Sequence, residues 1–227
     1  MPMAAHILPP PLRKGDRMTS DEFIRRWEAM PDLSRAELID GVVHRASPVT
    51  DIHADFHFRI SSWLTLYVLS TPGCGARTEA TWLISNDAVP QPDLALKILP
   101  EHGGQSRVEG KYAAGAPELI VEVGYSSSAR DAGAKLRLYE RSGVREYITV
   151  RPVKELLIWR ELRDGKFREL APAPADGLLR SKVFPGLWLD TAALWNNDLP
   201  GLAAVVQRGV SSEEHARFVQ ALSRPKV

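Results

Sequence analysis

Cysteine is nearly missing from this chain: Cys74 is the only one in 227 residues, so neither an intrachain disulfide nor a thiolate zinc cage can be built from it alone. Charge of one sign is missing too. With 29 Lys and Arg against 28 Asp and Glu, no large positive field argues for a polyanionic partner, and any phosphate-binding face has to be local. No stretch approaches the ~18 apolar residues that would span a bilayer, and residues 1–17 carry prolines and scattered charges where a signal peptide would have an apolar core. These absences lead to the expectation of a reducing compartment, by default the cytoplasm, and of no membrane partner. No internal repeat at solenoid spacing is visible. A hydrophobic share of 44% and a charged share of 25% are ordinary globular usage, which excludes a disordered chain and a coiled coil.

The punctuation of the chain predicts an α/β (α+β) domain. Thr19 followed by Glu22 makes a capping-box pattern ahead of Phe23, Ile24 and Trp27 and predicts a short helix that stops before Pro31. Asp40-Gly41 between two apolar runs predicts a hairpin with Glu37 at a strand end. Phe56, Ile60, Trp63, Leu64 and Tyr67 recur at helical spacing over residues 53–68. Strands are expected at residues 80–84, 94–99 and 144–150, and a loop at 102–115. Leu119-Ile120-Val121-Glu122-Val123 reads as a central strand covered on both faces. Ser126 to Ser128 offer caps for a helix over residues 131–141, which Gly143 would end. A second hairpin is expected across Asp164-Gly165, an edge strand at 183–189, and a last amphipathic helix from Ser211 through Phe218, Val219 and Leu222 that covers the core or a partner. The division expected is a loose N-terminal arm (1–18), one central domain (19–196) and a C-terminal helical extension (197–227).

Three residues carry charge where solvation would be poor: Asp93 enters a strand behind Pro92, Glu122 lies inside an apolar run, and Lys135 shares a helix face with Leu138 and Tyr139. Two carboxylates converging from adjacent strands would make an oxygen site for Mg²⁺, which commonly takes one or two protein carboxylates and leaves room for substrate phosphate oxygens. A nearby ammonium would orient the attacking water or offset developing charge. Each residue also has a structural reading: Asp93 as a turn residue, Glu37 as a solvated strand end, Glu122 in an ion pair, Lys135 reaching out to water. His53 and His57 stand at metal-ligand spacing without the partners a zinc site needs. Arg107 and Lys111, in the loop expected at 102–115, are candidate phosphate contacts. The glycines form neither a P-loop nor a dinucleotide fingerprint.

The segments Glu37-Leu38-Ile39-Asp40-Gly41, Gln91-Pro92-Asp93, Pro117 to Val123, Lys135-Leu136-Arg137-Leu138-Tyr139, Gly143-Val144-Arg145-Glu146-Tyr147 and Phe184-Pro185-Gly186-Leu187 occur in an order and spacing that resembles the Uma2 family. That family is a branch of the PD-(D/E)XK nucleases. The resemblance implies a restriction-endonuclease-like mixed central sheet flanked by helices and Mg²⁺- or Mn²⁺-dependent hydrolysis of DNA. It implies Asp93 and Glu122 as metal ligands with the Val123 carbonyl, Glu37 as an accessory acid, and His53 as a substrate contact. In the parent motif the lysine stands two residues after the glutamate. Here that position is Gly124, so the ammonium is expected from Lys135 on the following helix, similar to other Uma2-like sequences. Two other readings stand beside the nuclease: a catalytically inactive module that binds nucleic acid or protein, and a homodimer formed through the Phe218, Val219 and Leu222 face.

Overall fold

A computed structural model of the chain describes residues 9–45, 48–124 and 129–223. Local signals set its first elements. Thr19 accepts the Glu22 amide at 3.4 Å and opens α1 (Ser20–Glu28). Asp40 and Gly41, at φ 53° and 71°, form the two-residue turn between β1 (Ala36–Ile39) and β2 (Val42–Arg45), since both central positions of such a turn need positive φ. The arm expected to be loose is tied down from Leu12 onward. Leu12 is 2% exposed, Gly15 donates to the Val43 carbonyl, and Arg17 bridges Val42, because the edge of the β1–β2 ribbon offers unpaired backbone groups. Thr50 caps α2 (Asp51–Leu69), which buries Phe56, Ile60, Trp63, Leu64 and Tyr67 as the spacing predicts.

The strands that follow are β3 (Cys74–Thr78), β4 (Trp82–Leu83), β5 (Leu94–Ile98), β6 (Arg107–Glu109), β7 (Tyr112–Ala114) and β8 (Leu119–Val123). After β8 come α3 (Ala129–Arg141), β9 (Glu146–Arg151), β10 (Leu156–Arg163) and β11 (Lys166–Glu169). The chain closes with β12 (Leu179–Arg180), β13 (Trp188–Leu189), α4 (Thr191–Trp195), α5 (Leu199–Val210) and α6 (Glu213–Leu222). The capping role expected of Ser126 to Ser128 lies outside the described residues. Gly143, at φ 78°, ends α3: its own amide donates to Glu140 and that of Val144 to Tyr139, the paired bonds of a Schellman motif.

The central sheet has six strands in the order β11-β10-β9-β8-β5-β3. Only β8 and β9 are parallel, and α3 makes the crossover between them. One face packs Leu94, Leu96, Leu119 and Val121 against α2, and the other packs Ile120 and Tyr147 against Leu138 and Tyr139 of α3. Three expectations need correction. The strand expected at 80–84 is two residues long and lies in a separate small sheet, β4-β7-β6, while the strand missed before it, β3, is the edge of the central sheet. The expected loop at 102–115 contains the β6–β7 hairpin, turned at Gly110 (φ 59°) and held by parallel pairing of β7 to β4. Within 183–189 only Trp188–Leu189 is strand, because Leu187 bonds back to the Phe184 carbonyl around Gly186 at φ 86°. Of the two roles expected of the last helix, α6 takes the first and covers the core: Leu222 is 6% exposed and Phe218 packs edge-on to Phe184.

Candidate active site

The register of the sheet brings the first two carboxylates together. Leu94 pairs with Val121, so Asp93, one residue before β5, faces Glu122 at the end of that ladder, and Asp93 Oδ2 accepts the Val123 amide at 2.8 Å. The β1–β2 ribbon is docked by reciprocal backbone bonds between Leu38 and Val89, which place Glu37 against the chain leading into β5. Its Oε1 accepts the Gln91 amide at 2.8 Å. From the opposite side α3 presents Lys135, whose Nζ lies 2.9 Å from Glu37 Oε1 and 2.9 and 3.0 Å from the two oxygens of Glu122. Tyr139, one turn further along α3, donates to Glu122 Oε1 at 2.7 Å.

Little water reaches this cluster: the side chains of Glu37, Glu122 and Lys135 are 21%, 15% and 19% exposed. Burial pushes Glu122 up to about 7; Lys135 pulls it down, and the charges of Asp93 and Glu37 push it up again. Burial also works against the Lys135 charge, but Glu122 and Glu37 outweigh it and hold the ammonium above its ordinary range. Tyr139 is raised by burial and by the same two glutamates, so its phenol remains a donor. Lys135 is therefore the shared counter-charge of two carboxylates, which accounts for a lysine on an apolar helix face.

Around Asp93 a second set of groups collects. Arg35 Nη2 stands 3.4 Å from Asp93 Oδ1 and its Nη1 3.1 Å from Glu79. His53 Nε2 lies 3.6 Å from Asp93 Oδ1 and has no hydrogen-bond partner among the described residues, while His57 Nε2 lies 3.2 Å from the Asp93 carbonyl oxygen. Glu37, Asp93, Glu122, Lys135 and His53 thus share one end of the sheet. Arg107 and Lys111 do not join them: Arg107 pairs with Glu109, and Lys111 with Glu28 on α1. Arg107 instead lines a cleft of about 470 Å³ with Ser20, Ile24 and Leu83. Arg35 and Tyr139 were not singled out from the sequence. Tyr139 carried a signal, since it shares the helix face of Lys135, whereas Arg35 is 58 residues from Asp93 and had none.

The donor set fits a divalent cation that keeps substrate and water ligands. Among the described residues no three His, Cys, Asp or Glu side chains form a ready cage. Each of the two strand-end carboxylates nevertheless has an oxygen with lone pairs to spare. Among the described residues, Glu122 Oε2 accepts only from Lys135, and Asp93 Oδ1 has only the long approaches of Arg35 and His53. Glu37 and Glu122 share one lysine, the charge of Asp93 bears on Glu122, and Arg35 is shared with Glu79, so a cation would relieve repulsion rather than add to it.

A mixed sheet with helices on both faces and this carboxylate end is the restriction-endonuclease-like class of fold. The model of the Uma2 family, described as "Putative restriction endonuclease", matches residues 20–192, and the chain belongs to that family. A solved structure from Anabaena variabilis ATCC 29413, described as "a putative nuclease belonging to DUF820", superposes with a TM-score of 0.60 at 18% identity. The match covers 79% of this chain and 98% of that one, and at such identity the likeness is one of fold. No curated protein matches the chain. No helix among the described residues is long and apolar enough to cross a membrane.

Proposed function

We propose that the chain is an endonuclease that hydrolyses DNA phosphodiester bonds with Mg²⁺ or Mn²⁺, working in the cytoplasm. The observation that carries this reading is the pair of buried Asp93 and half-buried Glu122 at adjacent strand ends, with Lys135 shared between Glu122 and Glu37. Asp93, Glu122 and the Val123 carbonyl would hold the ion. Bound there, a divalent cation polarises a phosphoryl oxygen and acidifies its water. The residues of the chain do the rest. Lys135, held charged by its two glutamates, orients a water beside Glu122 and offsets charge building on the phosphate. Tyr139 and Glu37 are positioning residues, fixing Glu122 and Lys135 respectively. The unpartnered His53 nitrogen is available to a phosphate oxygen near Asp93.

The test is cleavage of supercoiled plasmid and of single-stranded DNA and RNA by the wild-type chain and by Asp93→Asn, with Mg²⁺, Mn²⁺ or EDTA. Metal-dependent cutting that Asp93→Asn lacks supports the proposal. A second reading, a non-catalytic binding module with the same fold, is favoured by one observation: Lys135 and Tyr139 already satisfy Glu122 without a metal. Nucleic-acid binding without cutting in any metal would select it.

A further inference from the structure

The site face of the sheet continues past Glu122. Parallel pairing sets Glu122 beside Thr149 of β9, and antiparallel pairing sets Tyr147 and Arg151 of β9 opposite Arg160 and Leu156 of β10. Registered partners point to the same side and the side-chain period is 2, so Glu122, Thr149, Arg151 and Arg160 lie on one face. Tyr147, which packs on Tyr139 of α3, marks that face as the one α3 covers.

Arg160 is placed oddly for a structural residue. Its side chain is only 15% exposed, yet among the described residues its guanidinium makes one hydrogen bond, to Thr149 Oγ1 at 3.2 Å. Its carboxylate neighbour, Glu169, stands 3.7 Å away and is 68% exposed, a loose pair worth little. Five donors in a fixed fork are thus mostly uncommitted. Arg151 stands two residues beyond Thr149 on the same face of β9; burial depresses the Arg160 charge, Glu169 and Tyr147 counter this, and the Arg151 charge depresses it further. Among the described residues no ion pair or side-chain hydrogen bond engages Arg151. Arg151 and Arg160 flank Thr149 on this face, one and two strands from Glu122, and two arginines around a hydroxyl beside a carboxylate centre suit an anion.

We infer that Thr149, Arg151 and Arg160 form a phosphate subsite that takes a phosphodiester of the same polynucleotide strand, next to the one bound at Asp93 and Glu122. Adjacent strands are about 4.8 Å apart, so a chain running across β8 toward β10 carries its neighbouring phosphate to this fork. Glu169 occupies the subsite weakly in its absence. This assignment rests on the nuclease reading for its ligand, and on the register and the Arg160 bonds for its place.

The experiment is fluorescence anisotropy of a labelled single-stranded oligonucleotide with the full chain in Ca²⁺, over a series of salt concentrations, for Arg160→Gln, Arg151→Gln, Glu169→Gln and Arg168→Gln. Each lost phosphate contact lowers the slope of log affinity against log salt by about 0.7 for a single strand. That drop is expected for Arg160→Gln and Arg151→Gln. Arg168, on the opposite face of β11, should leave the slope unchanged, and Glu169→Gln should tighten binding by removing the competing carboxylate. A purely structural Arg160–Glu169 pair would give weaker or unchanged binding in Glu169→Gln. Arg151→Gln keeps the test alive if Arg160→Gln does not fold. Unchanged slopes in a chain that binds and cuts overturn the subsite and spare the nuclease reading; a wild-type chain that binds no oligonucleotide overturns both.

Discussion

Glu122 and Glu146 lie in neighbouring parallel strands, the first half-buried and the second buried, and burial pushes both up to about 7, yet they are built differently. Glu146 is fully closed off and meets neutral donors: the Ser181 hydroxyl at 2.7 Å and the Lys182 and Val183 amides at 2.6 and 3.3 Å. It staples the chain at 181–183 to the sheet, and Ser181 extends the staple by accepting the Phe184 amide at 2.7 Å. Glu122 meets an ammonium and a phenol and is opposed by two other carboxylates, and part of its side chain stays open. A raised carboxyl therefore does not by itself mark a functional site. What distinguishes Glu122 is unbalanced like charge at a position that is only partly closed off.

That contrast can be broken experimentally, beginning with the largest effect. Lys135→Ala leaves Glu122 and Glu37 buried without their counter-charge and should cost ~3–5 kcal/mol in denaturant unfolding at pH 8. Ser181→Ala removes one neutral donor from Glu146 and should cost ~1–3 kcal/mol while cleavage per folded molecule stays at the wild-type level. Glu146 also predicts a pH dependence. Its folded value lies above its ordinary 4.5, so its stabilising contribution is complete below 4.5 and lost as pH rises through about 7. Glu146→Gln should flatten that part of the thermal-midpoint profile and gain most over wild type at pH 8. Tyr139→Phe deletes one hydrogen bond to Glu122, with ~0.5–1.5 kcal/mol of stability lost and cleavage reduced ~10–100-fold. Arg107→Ala with Lys111→Ala, remote from the cluster, should change stability by no more than ~0.5 kcal/mol and leave cleavage unaltered.

The legible parts of the sequence were those whose cause is local. Asp40-Gly41 and Asp164-Gly165 set their turns by needing positive φ at both residues, and the run at 119–123 could only be a covered strand. A lone charge in such a run, or on an apolar helix face, signals a partner, which is why Glu122 and Lys135 stood out before their contacts were known. Other parts depend on tertiary pairing. The outer half of β3 is exposed and carries no alternation, and the polar hairpin at 107–114 forms only because β4 offers an edge. Arg35, Arg151 and Arg160 look like ordinary surface arginines until the sheet register aligns them with the carboxylates. Arg107 and Lys111, read as candidate phosphate contacts, lie away from the carboxylate end, each beside an exposed acidic neighbour.

The most direct measurement compares Glu122→Gln and Glu146→Gln side by side for plasmid cleavage in Mn²⁺, with folding checked by circular dichroism. Both substitutions remove one buried carboxylate charge of similar energy, so the pair separates the site from the scaffold. The account predicts that Glu122→Gln loses more than about 100-fold in rate while folded, and that Glu146→Gln cuts like wild type. Cutting by Glu122→Gln at the wild-type rate, or equal losses in both variants, would contradict it.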